Sequence, residues 1–128
     1  MQTHSILIVE DNDDARDALR MLLELDGHTV EAAADGAEAL DIVRDKDPDV
    51  ALVDIGLPGI DGYEVARRIR AGQGPRPLLI ALTGYGQPED RRRATEAGFD
   101  SLLVKPVDPA ALSGLLATLE IPARGFRG

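Results

Sequence analysis

The chain has no cysteine, which excludes disulfides and thiolate chemistry and suits a reducing cytoplasm. No apolar run approaches the ~20 residues that a bilayer-spanning helix needs, so contact with a membrane is not expected. The opening Met1-Gln2-Thr3-His4 lacks the basic-then-apolar layout of a signal peptide. Positive charge is scarce: 14 Lys and Arg stand against 23 Asp and Glu, for a formal charge of −9. Such a surface repels a phosphate backbone, so no direct nucleic-acid partner is expected. A DNA-binding effector would belong to another chain or to another part of a parent protein. Linkers and repeats are also missing. What is present, 128 residues of which 44% are hydrophobic and 29% charged, suffices for one domain with a real core. The reading places that domain at residues 5–120, with a short tail at 121–128 that frays from Ala123 onward.

Apolar runs alternate with helical periodicities. Ser5–Val9 reads as a buried strand. Ala15, Leu19, Leu22 and Leu23 then recur at helical spacing until Asp26-Gly27. His28–Ala33 is a weaker strand, and Asp35-Gly36 introduces a helix over Ala37–Val43. Val50–Val53 is a third strand that ends on Asp54. Asp61 or Gly62 opens a helix holding Val65, Ala66 and Ile69. Leu78–Leu82 runs as a strand into Thr83-Gly84-Tyr85-Gly86, and Pro88 starts a helix that ends at Ala97-Gly98. Leu102–Val104 is the fifth strand, stopping at Lys105-Pro106. Asp108 caps a last helix that begins with Pro109 and ends near Leu119. This alternation predicts an α/β fold, a five-stranded parallel sheet with helices on both faces.

In such a sheet ligands bind beyond the carboxyl ends of the strands, at the switch point. Glu10 and Asp11, Asp54, Thr83 and Lys105 all stand at those ends. Three carboxylates crowded together repel, and a hard divalent cation such as Mg2+ relieves that repulsion with oxygen ligands. The plainer reading of the acids is a solvated loop, because Asp13 and Asp14 continue the run. It loses to the arrival of Asp54 and Lys105 at the same edge from other strands. A carboxylate held at the end of an apolar strand can attack phosphorus and form an acyl phosphate. Lys105 would supply a compact positive charge and Thr83 a hydroxyl donor. Lys105 also suits a resting ion pair with the acids, and the two roles are compatible.

The segments Ile6–Asn12 (ILIVEDN) and Asp54–Gly62 (DIGLPGIDG), with Thr83-Gly84 and Lys105-Pro106, resemble the receiver domains of response regulators. The likeness runs from about Ser5 to Leu119 in the family's order. It implies a doubly wound, flavodoxin-like sheet of order 2-1-3-4-5. It also implies that Asp54 is the phosphoacceptor, that Asp11 binds Mg2+ directly and Glu10 through water, and that the Gly56 carbonyl completes the protein ligands. By the same resemblance Thr83 and Lys105 bind the phosphoryl group, and Lys105-Pro106 is a cis peptide. The implied partners are a histidine kinase or histidine phosphotransfer protein and an output partner that the residues do not identify. Such a chain is a cytoplasmic phosphoacceptor rather than a turnover enzyme. The stretch Ala81–Pro106 further resembles receivers appended to hybrid histidine kinases.

Two positions depart from the family's pattern. Leu102 replaces the aromatic commonly found three residues before the lysine. Gly56 leaves one side of the acyl phosphate uncovered, while Tyr85 is placed to cover another. Glycine at 56 also counts against an aspartyl-phosphate phosphatase, which would want a second aspartate there. Asp11-Asn12-Asp13-Asp14 would repel the phosphate of a flavodoxin-like cofactor. A receiver fold used only for protein contacts is the remaining rival. Ala15 and Ala18, beside Leu22, are expected to form an apolar notch for the donor, unless they simply pack against the last helix. Phosphorylation is expected to be read through Thr83–Gln87 and the following helix. The Arg67-Arg68 and Arg91-Arg92-Arg93 runs read as solvated faces, and His4 and His28 as incidental.

Overall fold

A computed structural model describes residues 3–73, 76–84 and 86–121. Tyr85 and the tail from residue 122 lie outside the described residues. Among the described residues the elements are β1 (Ser5–Val9), α1 (Asp13–Leu25), β2 (Thr29–Ala33), α2 (Gly36–Lys46) and β3 (Val50–Asp54). There follow α3 (Gly62–Gln73), β4 (Leu78–Thr83), α4 (Pro88–Ala97), β5 (Ser101–Val104) and α5 (Pro109–Thr118). The expected strands and helices are all present, with ends that coincide or move by at most three residues. All strand pairs are parallel, in the order β2-β1-β3-β4-β5.

The central strands β3 and β4 are buried at every residue, whereas the edge strands β2 and β5 are not. Alternating side chains divide the core in two, as the period of two in a strand requires. Ile6, Ile8, Leu52, Ile80 and Leu82 face Leu19 and Leu23 of α1 and Leu112 and Leu116 of α5. Leu7, Val9, Val53, Leu79 and Ala81 face the other way, toward α2, α3 and α4. Thus α1 and α5 cover one face and the other three helices cover the second.

Side-chain caps start four of the helices, three of them at the aspartates expected from the sequence. Asn12 accepts from the Ala15 N–H, Asp35 from Glu38, Asp61 from Glu64, and Asp108 from Ala111. At the far end of α4, Gly98 adopts φ +110°, a left-handed cap closed to most side chains. A Cβ there would also lie 2.6 Å from Arg70 Cγ. Arg70 uses the space to donate to the Gly98 carbonyl at 3.0 Å and to Asp100 at 2.6 Å. These bonds tie the end of α3 to the α4–β5 turn.

Candidate active site at the carboxyl edge of the sheet

β1, β3, β4 and β5 each end at one edge, and each delivers a polar group there. Glu10 follows β1, keeps its N–H in the ladder with the Ala33 carbonyl at 3.1 Å, and is 1% exposed. Asp54 closes β3 and is also buried. The loop after it folds back so that the Gly62 N–H reaches the Ile55 carbonyl at 3.0 Å. A Cβ on Gly62 would meet the Asp54 carbonyl oxygen at 2.5 Å, so only glycine lets α3 start this close to the site. Thr83 is buried at the end of β4, and its carbonyl accepts the Lys105 N–H at 2.7 Å. The Lys105–Pro106 peptide is cis, as expected, and so is Arg76–Pro77, which the sequence reading did not anticipate.

The Lys105 ammonium lies 2.6 Å from Glu10 Oε1 and 3.1 Å from Asp54 Oδ2. The remaining Glu10 oxygen accepts the Asn12 N–H at 3.2 Å, and Asp54 Oδ1 accepts the Gly56 N–H at 3.0 Å. Asp11 stands beside them in the open, and carboxylate oxygens of Glu10, Asp11 and Asp54 all fall within 4.8 Å of one another. Three carboxylates therefore face one ammonium. Burial pushes the Glu10 carboxyl above its usual range; Lys105 pulls it down and Asp54 pushes it further up. Burial opposes the Lys105 charge, but Glu10 and Asp54 outweigh it and hold the ammonium above its ordinary value.

This donor set fits a small hard cation. All candidate ligands are oxygens, and an octahedral Mg2+ spaces neighbouring ligand oxygens about 3 Å apart and opposite ones about 4 Å. The observed spread needs only a side-chain rotation or an intervening water. Gly56 is exposed, and a Cβ there would touch only Asp54 Oδ1, at 3.7 Å. The position could hold a side chain, so its glycine leaves that flank of Asp54 open.

The sequence reading of the remaining positions holds in most respects. Leu102 is partly buried and packs against the core. Arg67 and Arg68 pair with Glu64, and Arg92 pairs with Glu89 and Glu96, all on exposed helix faces. Arg93 is exposed as well, and its guanidinium lies over the Tyr63 ring, 4.4 Å from the centroid, linking α4 to α3. His4 and His28 are not incidental. They are buried and stacked, with ring centroids 5.5 Å apart. Among the described residues no helix is long and apolar enough to cross a membrane.

A doubly wound sheet with an acidic cluster and a lysine at its switch-point edge defines a class of phosphate-handling α/β proteins. The family model described as the response regulator receiver domain matches residues 6–117, and the chain belongs to that family. It is a phosphoacceptor receiver domain of two-component signal transduction, a family whose members work with histidine kinases and output domains. The chain is 42% identical over 109 residues to the transcriptional regulatory protein AfsQ1 of Streptomyces coelicolor, covering 84% of this chain and 47% of that protein. Over 112 residues it is 40% identical to a 14.6 kDa protein of Leptolyngbya boryana, covering 87% and 86% respectively. It thus spans about half the length of the AfsQ1 and MprA regulators that it matches. Among solved structures, the chemotaxis protein CheY4 of Vibrio cholerae aligns with a TM-score of 0.85 at 30% identity, covering 91% of this chain and 98% of that one. The receiver domain of the sensor histidine kinase PA1611 from Pseudomonas aeruginosa aligns at 0.81 and 35% identity, covering 90% and 95%. That structure carries a magnesium ion in its active-site cleft.

Proposed function

We propose that Asp54 takes the phosphoryl group from a phosphohistidine on a histidine kinase or a histidine phosphotransfer protein. The observation that carries this reading is the Lys105 ammonium, shared between Asp54 and Glu10 at an edge where acids outnumber it. An Asp54 oxygen bonds to phosphorus as the bond from phosphorus to the donor nitrogen breaks. The donor ring, protonated on its other nitrogen, leaves as neutral imidazole. Lys105 and the Thr83 hydroxyl then hold the phosphoryl oxygens of the acyl phosphate. Asp11, Asp54 and the Gly56 carbonyl, with Glu10 through a water, would hold Mg2+, which when bound would supply the further positive charge that the transferred group requires.

The donor has a place to dock. A groove of about 630 Å³ runs from Glu10 and Lys105 between Ala15, Ala18 and Leu22 on one side and Val107 and Pro109 on the other. Ala18 is exposed on its wall rather than consumed by packing against α5. The reporting element is α4, whose buried residues among those described are only Ala94 and Ala97. So little buried apolar surface lets the helix shift when Thr83 is drawn toward Asp54. The chain acts in the cytoplasm and controls an output elsewhere.

Mass spectrometry with acetyl phosphate tests the reading. The wild-type chain should gain one phosphoryl group only with Mg2+, and Asp54→Asn should gain none. Labelling of that variant at the wild-type rate overturns the assignment. Ala18→Glu should slow transfer from a phosphohistidine donor at least tenfold and leave acetyl phosphate labelling unchanged. Equal slowing of both would remove the docking role.

A further inference from the structure

The turn that carries Asp11 is tied down on both sides of it. Glu10 spends its carboxylate on Lys105 and the Asn12 N–H. The Asn12 side chain caps α1 through the Ala15 N–H at 2.9 Å. Asp13 pairs with Arg16 at 2.5 Å. Of residues 10–13, Asp11 is the one whose side chain has no hydrogen bond or ion pair among the described residues.

The Glu10 carbonyl is where β1 leaves the sheet. Its own N–H still bonds Ala33, but the carbonyl has no strand to meet, and a buried carbonyl without a donor is costly. Arg16 fills the gap by donating Nη1 to it at 2.9 Å. The same guanidinium gives Nη2 to Asp13, and its side chain is only 19% exposed. A planar fork can hold two acceptors in fixed directions, which a lysine cannot.

We infer that Arg16 is a positioning residue: by bracing the Glu10 carbonyl and drawing the Asp13 carboxylate aside, it fixes the turn from which Asp11 serves the cation. This rests on the Mg2+ reading above. Sign separates the role from simple electrostatics. A positive charge near the acids by itself repels a cation, so if charge were all that mattered, losing Arg16 would tighten binding. Loss of a brace loosens it, and supports of metal ligands typically matter by tenfold or more.

Magnesium chloride titrated into the full chain, followed through the backbone amide signals of residues 10–13, decides the question. Arg16→Ala should weaken affinity about tenfold, and Arg16→Lys, which keeps the charge and one bond, about threefold. Unchanged or tighter binding in Arg16→Ala, or wild-type affinity in Arg16→Lys, overturns the positioning role. If Arg16→Ala does not fold, the Lys variant decides alone. Asp11→Asn is titrated alongside. Loss of binding there together with intact binding in the Arg16 variants sinks only the role of Arg16. Intact binding in Asp11→Asn sinks the metal reading and this inference with it.

Discussion

The two ends of the sheet carry similar residues and behave differently. At the carboxyl edge stand Glu10, Asp11, Asp54 and Lys105; at the amino edge stand Asp47, Asp49 and Arg76, with His4 and His28 beside them. Arg76 is 7% exposed and gives Nη2 to Asp49 at 2.9 Å, with Asp47 Oδ1 3.5 Å from its Nε. The other Asp49 oxygen accepts the Ser5 N–H at 2.9 Å, while its backbone bonds Ser5 and Leu78. One residue thus fastens the starts of β1, β3 and β4. Burial opposes the Asp49 charge, but the Ser5 and Arg76 bonds outweigh it and hold the carboxyl below its usual range. At the other edge, Asp11 has no hydrogen-bond or ion-pair partner among the described residues, and two buried carboxylates share one ammonium. Buried charge alone therefore does not mark a site. Charge left short of partners does, because it keeps free energy available for a ligand.

The largest expected effect tests the closed end. Arg76→Ala strands Asp49 and Asp47, and breaking a buried pair in this way should cost about 3 kcal/mol in urea unfolding. Its folded form should still accept phosphate at the wild-type rate. A loss well under 1 kcal/mol would mean that the amino edge is no better satisfied than the carboxyl edge.

Removing one acid from each end gives a difference of sign. Asp49→Asn should destabilise by about 1–2 kcal/mol, since two charge-assisted bonds weaken. In magnesium-free buffer Asp54→Asn should instead stabilise, by up to about 1 kcal/mol, because it relieves repulsion with Glu10. Urea midpoints measured side by side decide this. If both variants lose stability equally, the contrast between the ends disappears.

The smallest effect is a pH dependence at the histidine pair. His28 Nδ1 accepts the His4 N–H at 3.0 Å, which requires that nitrogen to be unprotonated. Burial, then the neighbouring His4, push His28 below its ordinary 6.5. A depressed folded-state value means that the unfolded chain takes up the proton first. The contribution is therefore complete above about pH 6.5 and declines as pH falls below it. His28→Gln should flatten the fall in Tm between about pH 6.5 and 5. An unchanged slope would assign that fall to other groups.

The readable parts of this molecule were those with local causes. β3 and β4 announced themselves as unbroken apolar runs because both faces of each are covered. Three helix starts were visible in Asp35, Asp61 and Asp108, whose caps act within three residues. The ends of β2 and β5 were less distinct, since edge strands mix exposed and buried positions. The role of Arg16 has no local signature, because nothing in an acidic helical turn shows that a strand carbonyl lies within its reach. The contact of exposed Arg93 with Tyr63 left no local trace because the two sit on different helices.

From the sequence alone came the alternation of strands and helices, the parallel sheet, and the set of polar residues that end the strands. Each follows from a periodicity or a boundary that a few neighbouring residues define. Tertiary structure decided which of those polar groups are satisfied. Lys105 meets Glu10 across 95 residues, and Arg76 meets Asp49 across 27. The order of strands makes both meetings, bringing β1 beside β3 and leaving Asp11 at the edge with no partner among the described residues. Local pattern sets where a charge emerges from the fold; only packing sets whether another charge is waiting for it.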